Sequence, residues 1–342
     1  MTGSNPSPRE WHRLYQATIR VKEIAPWDWM TETDIFGVRD PETGEIGFVS
    51  IMGMLGEHLA VAIYLGAEGL YSFWGFQQIA DSAPPEALLG IPHLQASFED
   101  RGELSAKDRA VIKDLGLKFR GRQEWPLFRS YRPGYVPWYL EAPEARLLTY
   151  ALEQAGELVL RFEEDPALLE PADEESYLVR APHEVSGDLV WEDEVVSVFM
   201  PEAESIPIIM DVEALERVKQ LPRGEHTLEM DLFLFPIRIQ EKGARPYFPY
   251  LLLAAENPRG LIVGNELLTP EQGLVEMLGL VPMKVVHQLA QMGILPQEIR
   301  VQSFRLLALL KLLEGELGVE VKAARVLPNL DQAKESLLHR FG

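Results

Sequence analysis

Hydrophobic and polar positions along the chain alternate between two periods, and the switches between them outline the elements. Trp11, Leu14, Tyr15, Thr18 and Val21 recur at helical spacing behind Ser7, Pro8 and Glu10, a capping box with proline in the first turn, so the pattern predicts a helix over about 8–24. DIFGVRD and IGFVSIMG flank PETGE and read as a hairpin, with Pro41 and Gly44 supplying the turn; HLAVAIYLG adds a third strand. Residues 67–80 read as a helix, HLQASFED as a strand, Ser105 to Gly116 as a helix capped by Ser105, and WPLFRSYRPG as a strand. From Pro143 the set Leu147, Leu148, Ala151, Leu152, Ala155, Leu158 and Val159 marks a long amphipathic helix. YLVRAP and DLVWEDEVVSVFMPE look like a strand lead-in to a second domain, and Asp211 caps a short helix, VEALERVKQL.

The pattern beyond residue 225 is the most ordered. HTLEMDLFLFP alternates with period two, followed by the strands RPYFPYLLLAAE and LIVGNELL. Thr269, Pro270, Glu271 and Gln272 form a capping box that opens a helical region to about Met292, which Pro282 is expected to bend or break. A strand EIRVQS, a leucine-dense helix, a strand VEVKAARV and a helix from about Leu330 complete the order β-β-β-α-β-α-β-α. The fold class expected is therefore two mixed domains, α+β or α/β.

Charge changes the picture of the boundary. The net charge of −21 is local: residues 164–205 alone carry −12, and 101–132 carry +5. Acidic repulsion and two prolines in EEDPALLEPADEES predict an interdomain linker at 165–175, dividing a domain 1–164 from a domain 176–342. With 46% apolar and 25% charged residues in 342, the composition is that of a globular protein with ample core. Stretches free of charge reach only about a dozen residues against the roughly 20 of a spanning helix, so no membrane association is expected. The start lacks a secretory pattern and there is no cysteine, which points to a bacterial-type cytoplasm and excludes thiolate chemistry.

Motifs exclude more than they assign. None of the 26 glycines lies two residues from another, and no Gly-Lys pair exists, so neither dinucleotide fingerprint nor phosphate loop is present and no nucleotide cofactor is expected. The seven histidines show no HExxH and no helical pairing, and no G-x-S-x-G occurs. The basic stretch carries interleaved aromatics, a combination that grips phosphates while stacking on bases. Arg101, Arg120, Arg129, Arg132 and Trp138 are the candidate contacts to a protein or nucleic-acid partner.

The order of the second domain resembles the ribonuclease H-like fold over about 225–342, and LEMDLFLF resembles its first strand. The resemblance implies a metal-binding carboxylate at Asp231 and carboxylates gathered around two divalent ions. The fourth strand ends Val301-Gln302-Ser303, where those enzymes present an aspartate; Glu256, Glu276 and Asp331 are the remaining candidates. The departure favours a non-catalytic binding or accessory protein with a degenerate nuclease-like domain and no cofactor. The alternative is a phosphoryl-transfer enzyme using Mg or Mn. PWDWM, FGVRDPETGEIGFVSIMG, YLGAEGL and RPGYVPWYL also resemble bacterial two-domain proteins known only as domains of unknown function.

Overall fold

In a computed structural model, which describes residues 4–80, 85–170, 173, 175–202, 205–235, 237–241, 243–271 and 273–341, the chain divides into two units. The first comprises 1–133 and 137–202, the second 134–136 and 203–342, and both mix helices with a sheet, as expected.

The first unit opens with α1 (Pro8–Ile24), started by the expected capping box: the Ser7 hydroxyl accepts from the Glu10 N–H at 3.3 Å, and Glu10 accepts from the Ser7 N–H at 2.7 Å. Strands β1 (Phe36–Arg39), β2 (Ile46–Met52), β3 (Ala60–Leu65), β4 (His93–Glu99) and β5 (Trp125–Tyr131) then form an antiparallel meander. Between them lie α2 (Gly66–Gln77) and α3 (Ala106–Asp114). Their inner faces alternate: Val49, Ile51, Val61 and Ile63 point into a core closed by α1 and α4 (Ala142–Glu164), while Phe48, Ala62 and Tyr64 pack on Leu70 and Phe73 of α2. At Gly69 the helix lies so close to the sheet that an added Cβ would meet the Pro92 carbonyl oxygen at 2.8 Å.

The boundary expected at 165–175 is not where the units part. After α4 and a 3-10 turn at Pro166–Leu169, β6 (Ser176–Val185) pairs parallel to β1, and β7 (Asp188–Ser197) pairs antiparallel to β6. The first sheet thus has seven strands in the order β5-β4-β3-β2-β1-β6-β7, and the residues read as a lead-in to the second domain complete the first. Leu168 and Leu169 of the supposed linker pack against the first core; residues 171, 172 and 174 of it lie outside the described residues. The physical reason is Arg180 on β6, only 8% exposed. Its guanidinium donates to Gln154 on α4 at 3.0 Å and to Asp193 on β7 at 2.6 Å, tying the acidic hairpin to the helix.

In the second unit α5 (Val212–Lys219) is capped by Asp211, whose carboxylate accepts from the Ala214 N–H at 2.9 Å. Strands β8 (Thr227–Leu234), β9 (Tyr250–Asn257) and β10 (Leu261–Leu268) are antiparallel. After α6 (Leu274–Met292) comes β11 (Glu298–Val301), parallel to β8; after α7 (Phe304–Leu317) comes β12 (Glu320–Ala323), parallel to β11; α8 (Pro328–Phe341) follows. From β8 onward the element order is the predicted β-β-β-α-β-α-β-α, and the sheet order is β10-β9-β8-β11-β12. Leu228, Met230, Leu252 and Ala254 face α5, α6 and α7, whereas Leu251, Leu253 and Ala255 face Leu330 of α8.

Two local expectations change. Pro282 does not break α6: the helix runs through it, buried, and one turn earlier the Gly279 carbonyl accepts from the Ile209 N–H at 3.0 Å. The helix starts at Leu274 behind Gly273 at φ 120° rather than at a capping box on Thr269, and Gln272 lies outside the described residues. Among the described residues no helix is long and apolar enough to cross a membrane.

Candidate binding site

The four carboxylates proposed for metal chemistry take up separate duties. Asp231, 5% exposed on the α8 side of β8, is ion-paired with the ammonium of Lys334, which also sits 4.8 Å over the Phe233 ring. Its Oδ1 is buried and has no hydrogen-bond partner among the described residues. Asp331 closes the first turn of α8 by accepting the Leu327 N–H at 3.1 Å. Glu256 lies on the opposite face of the sheet, since it follows Leu252 and Ala254 in alternation, and sits 3.6 Å from Arg259. With His226, Arg259 and Gln291 it borders a cavity of about 470 Å³. Glu276 occupies the first turn of α6, over Gly273. Among the described residues no group of three or more histidines or acids could hold a metal ion, and Gln302 at the end of β11 donates its amide to the Arg325 carbonyl at 3.0 Å.

Sequence reading missed the most deeply held acid. Glu229, two residues before Asp231 and fully buried, accepts from Asn257 Nδ2 at 2.6 Å, Asn329 Nδ2 at 2.9 Å, and the backbone N–H groups of Asn329 at 2.8 Å and Leu330 at 3.0 Å. It is an N-terminal anchor for α8 supplied from a strand about one hundred positions earlier. Alternation of acids in LEMDL could have pointed to it, but the four donors are remote in sequence.

The basic stretch is largely committed inside the first unit. Arg129 forms a bidentate pair with Asp108 at 3.0 and 2.8 Å and lies 4.9 Å over the Tyr139 ring. Burial alone would raise the Asp108 carboxyl, but hydrogen bonds from Arg129 and Ser105 outweigh it and hold the group below its ordinary value. Arg132 pairs with Glu144 at 2.8 Å and Glu141 at 3.3 Å. Trp138 bridges to Ser130 through the backbone and stacks edge-on with Tyr139 at 4.9 Å. Arg129 and Arg132 are thus engaged by acids of the same unit, and Arg101, 5.7 Å over the Trp125 ring, and Arg120 are exposed. His93 is a buried base of the same sheet edge: it stacks on Tyr131 at 4.0 Å, its Nδ1 lies 2.8 Å from the Ile91 carbonyl, and burial pushes it down to about 4.

A different place is built to receive something. A cavity of about 650 Å³ opens in the first unit where α2, the start of β6, the 3-10 turn after α4 and the segment after β7 meet. One face of α2 supplies Tyr71, Trp74, Gly75 and Gln78, the i, i+3, i+4, i+7 spacing of a single helical stripe, while Leu70 and Phe73 of the same helix are buried in the core. Gly75 leaves that stripe open, since a Cβ there would meet nothing within 4 Å. The aromatic groups are fixed: the Tyr71 hydroxyl donates to the Val198 carbonyl at 2.9 Å, and Trp74 Nε1 donates to the Tyr177 hydroxyl at 3.0 Å. Burial raises the Tyr177 phenol above its usual value, so it stays neutral. Phe162, Leu169 and Met200 add apolar wall, and Asp34 and Glu170 add carboxylates.

Residues 11–180 match a family model described as a domain of unknown function, DUF7309, and residues 214–338 match a second, DUF6930. Together the two matches are consistent with an uncharacterised two-domain family, as the phrase resemblances implied. The DUF7309 match ends inside β6, and the DUF6930 match spans α5 through most of α8, including the whole second sheet. No curated protein and no solved structure matches the chain.

Proposed function

We propose that this DUF7309–DUF6930 protein is a non-catalytic binding or accessory protein of a bacterial cytoplasm, whose first unit holds a small organic ligand. The observation that carries this reading is the 650 Å³ cavity, within the range of small-molecule sites, walled by aromatic groups whose hydroxyl and indole N–H are already fixed. The described lining has no histidine to serve as a base, and its Ser176 hydroxyl donates to the Asp173 carboxylate at 2.7 Å in a local turn, so the cavity favours holding over reacting. In the second unit the strand order supports a ribonuclease H-like scaffold, and the ammonium of Lys334 on Asp231 supports one that does not cleave, because it engages an oxygen that a divalent ion would take.

Gly75→Leu tests the reading, because the new side chain enters open space and blocks the stripe while leaving the core untouched. A panel of cationic, neutral and anionic aromatic fragments, followed by ligand-observed NMR, is expected to give at least one compound that binds the natural chain and not Gly75→Leu. No such compound, or Mn-dependent cleavage of DNA or RNA that disappears in Asp231→Asn, overturns it.

A further inference from the structure

We propose that the ligand of the α2 cavity is an organic cation with an apolar body. This rests on the binding reading above and narrows it to a chemical class. The lining combines the aromatic rings of Tyr71, Trp74, Tyr177 and Phe162 with the carboxylates of Asp34 and Glu170, and among the described residues it includes no lysine, arginine or histidine. Ring faces carry the negative end of the aromatic quadrupole, so a cation held over them is attracted, and most strongly where water is excluded.

The two carboxylates have room for such a guest. Asp34 Oδ2 accepts from the Thr31 N–H at 2.6 Å and the Thr31 hydroxyl at 2.8 Å, while Oδ1 receives no hydrogen bond from the described residues. Glu170 has no ion pair among the described residues. The walls contributed by Glu170, Ser176, Tyr177 and Met200 belong to the segment 164–205, where −12 of the molecule's −21 is concentrated. Of that segment's acids Glu170 reaches the lining itself, so the nearby charge is net negative. An anion would meet that charge unfavourably, and a neutral apolar molecule would cover the carboxylates without answering them. A quaternary or protonated amine does answer them. The volume exceeds that of a bare tetraalkylammonium head, so the guest carries an apolar arm that reaches Phe162, Leu169 and Met200.

Titration calorimetry on the full chain tests the class with four probes: benzyltrimethylammonium, choline, the carbon isostere of choline (3,3-dimethylbutan-1-ol) and benzenesulfonate. Benzyltrimethylammonium is expected to bind with a dissociation constant below about 1 mM and more tightly than choline. Choline is expected to bind about ten-fold more tightly than its isostere. Glu170→Gln, on an exposed side chain, should weaken both cations several-fold and leave the alcohol unchanged, and Asp34→Asn should do the same if it folds. Equal binding of choline and its isostere, or preference for benzenesulfonate, overturns the cation while leaving the cavity as a binding site. Failure of every probe here and of every fragment on Gly75→Leu comparison overturns both.

Discussion

Removing the charge of Glu229 is the sharpest test of how the second unit is held together. Four donors converge on this fully buried carboxylate: two backbone N–H groups of the first turn of α8 on Oε2, and the side-chain amides of Asn257 and Asn329 on Oε1. In Glu229→Gln the amide oxygen can keep the two backbone donors, which cannot move, while Asn257 and Asn329 turn over to offer their oxygens to the new NH2. Every bond survives but none is charge-assisted. A bond to a charged group is worth about 1.5–3 kcal/mol against about 0.5–1.5 for a neutral one, so four non-additive losses come to roughly 2–4 kcal/mol. Glu229→Met keeps the volume and removes the acceptors. The Asn329 and Leu330 N–H groups are then buried without partners, at about 1–3 kcal/mol each, along with two amides, and the loss exceeds about 4 kcal/mol. Urea unfolding gives the order, and hydrogen exchange on α8 shows where it acts: protection falls first at 329 and 330. Losses under about 1 kcal/mol for both variants, or Met no worse than Gln, would refute the reasoning, because α8 would then be docked by its apolar contacts alone.

Two further outcomes follow from buried charge. Lys334→Met strands the Asp231 carboxylate and should cost about 3–5 kcal/mol in urea unfolding, whereas Asp231→Leu combined with Lys334→Met should return to within about 1 kcal/mol of the natural chain; a double variant as weak as the single contradicts the pairing. His93 has a folded value of about 4, below its ordinary 6.5, so its neutral form supports the fold fully above about pH 6.5 and that support is lost as pH falls through 4. The effect is on the order of 3 kcal/mol, and His93→Phe should flatten the melting temperature of the first unit between pH 7 and 4.5, an unchanged slope counting against it.

What the sequence discloses and what it conceals divide by range. The caps at Ser7, Ser105 and Asp211 were legible because a cap and its donor lie three residues apart. The alternation of β8, β9 and β10 was legible because each strand carries its own face pattern. The pairing of β6 with β1 was not: it joins Val179 to Gly37 across more than a hundred residues, and the acidic hairpin that follows is tied down through Asp193 by Arg161 and Arg180, which pair with it only after folding. Arg129 read as a free cation because Asp108 stands 21 residues away. Asp231 could be singled out from its strand, but Lys334 on it could not. Tyr71, Trp74, Gly75 and Gln78 lay on a predicted helix, yet spacing alone does not tell which stripe of a helix is left uncovered.

The parallel edge between β1 and β6 governs how this molecule can be cut. A fragment ending at 164 would strip β1 of its neighbour and lay bare a row of backbone donors and acceptors, the kind of margin that recruits foreign strands into aggregates. Ending at 180, where the family match stops, would sever a ten-residue strand mid-way and remove Met200 from the cavity wall together with the Val198 carbonyl that holds Tyr71. A faithful dissection keeps residues to 202, so that whatever the molecule carries leaves with the sheet that encloses it.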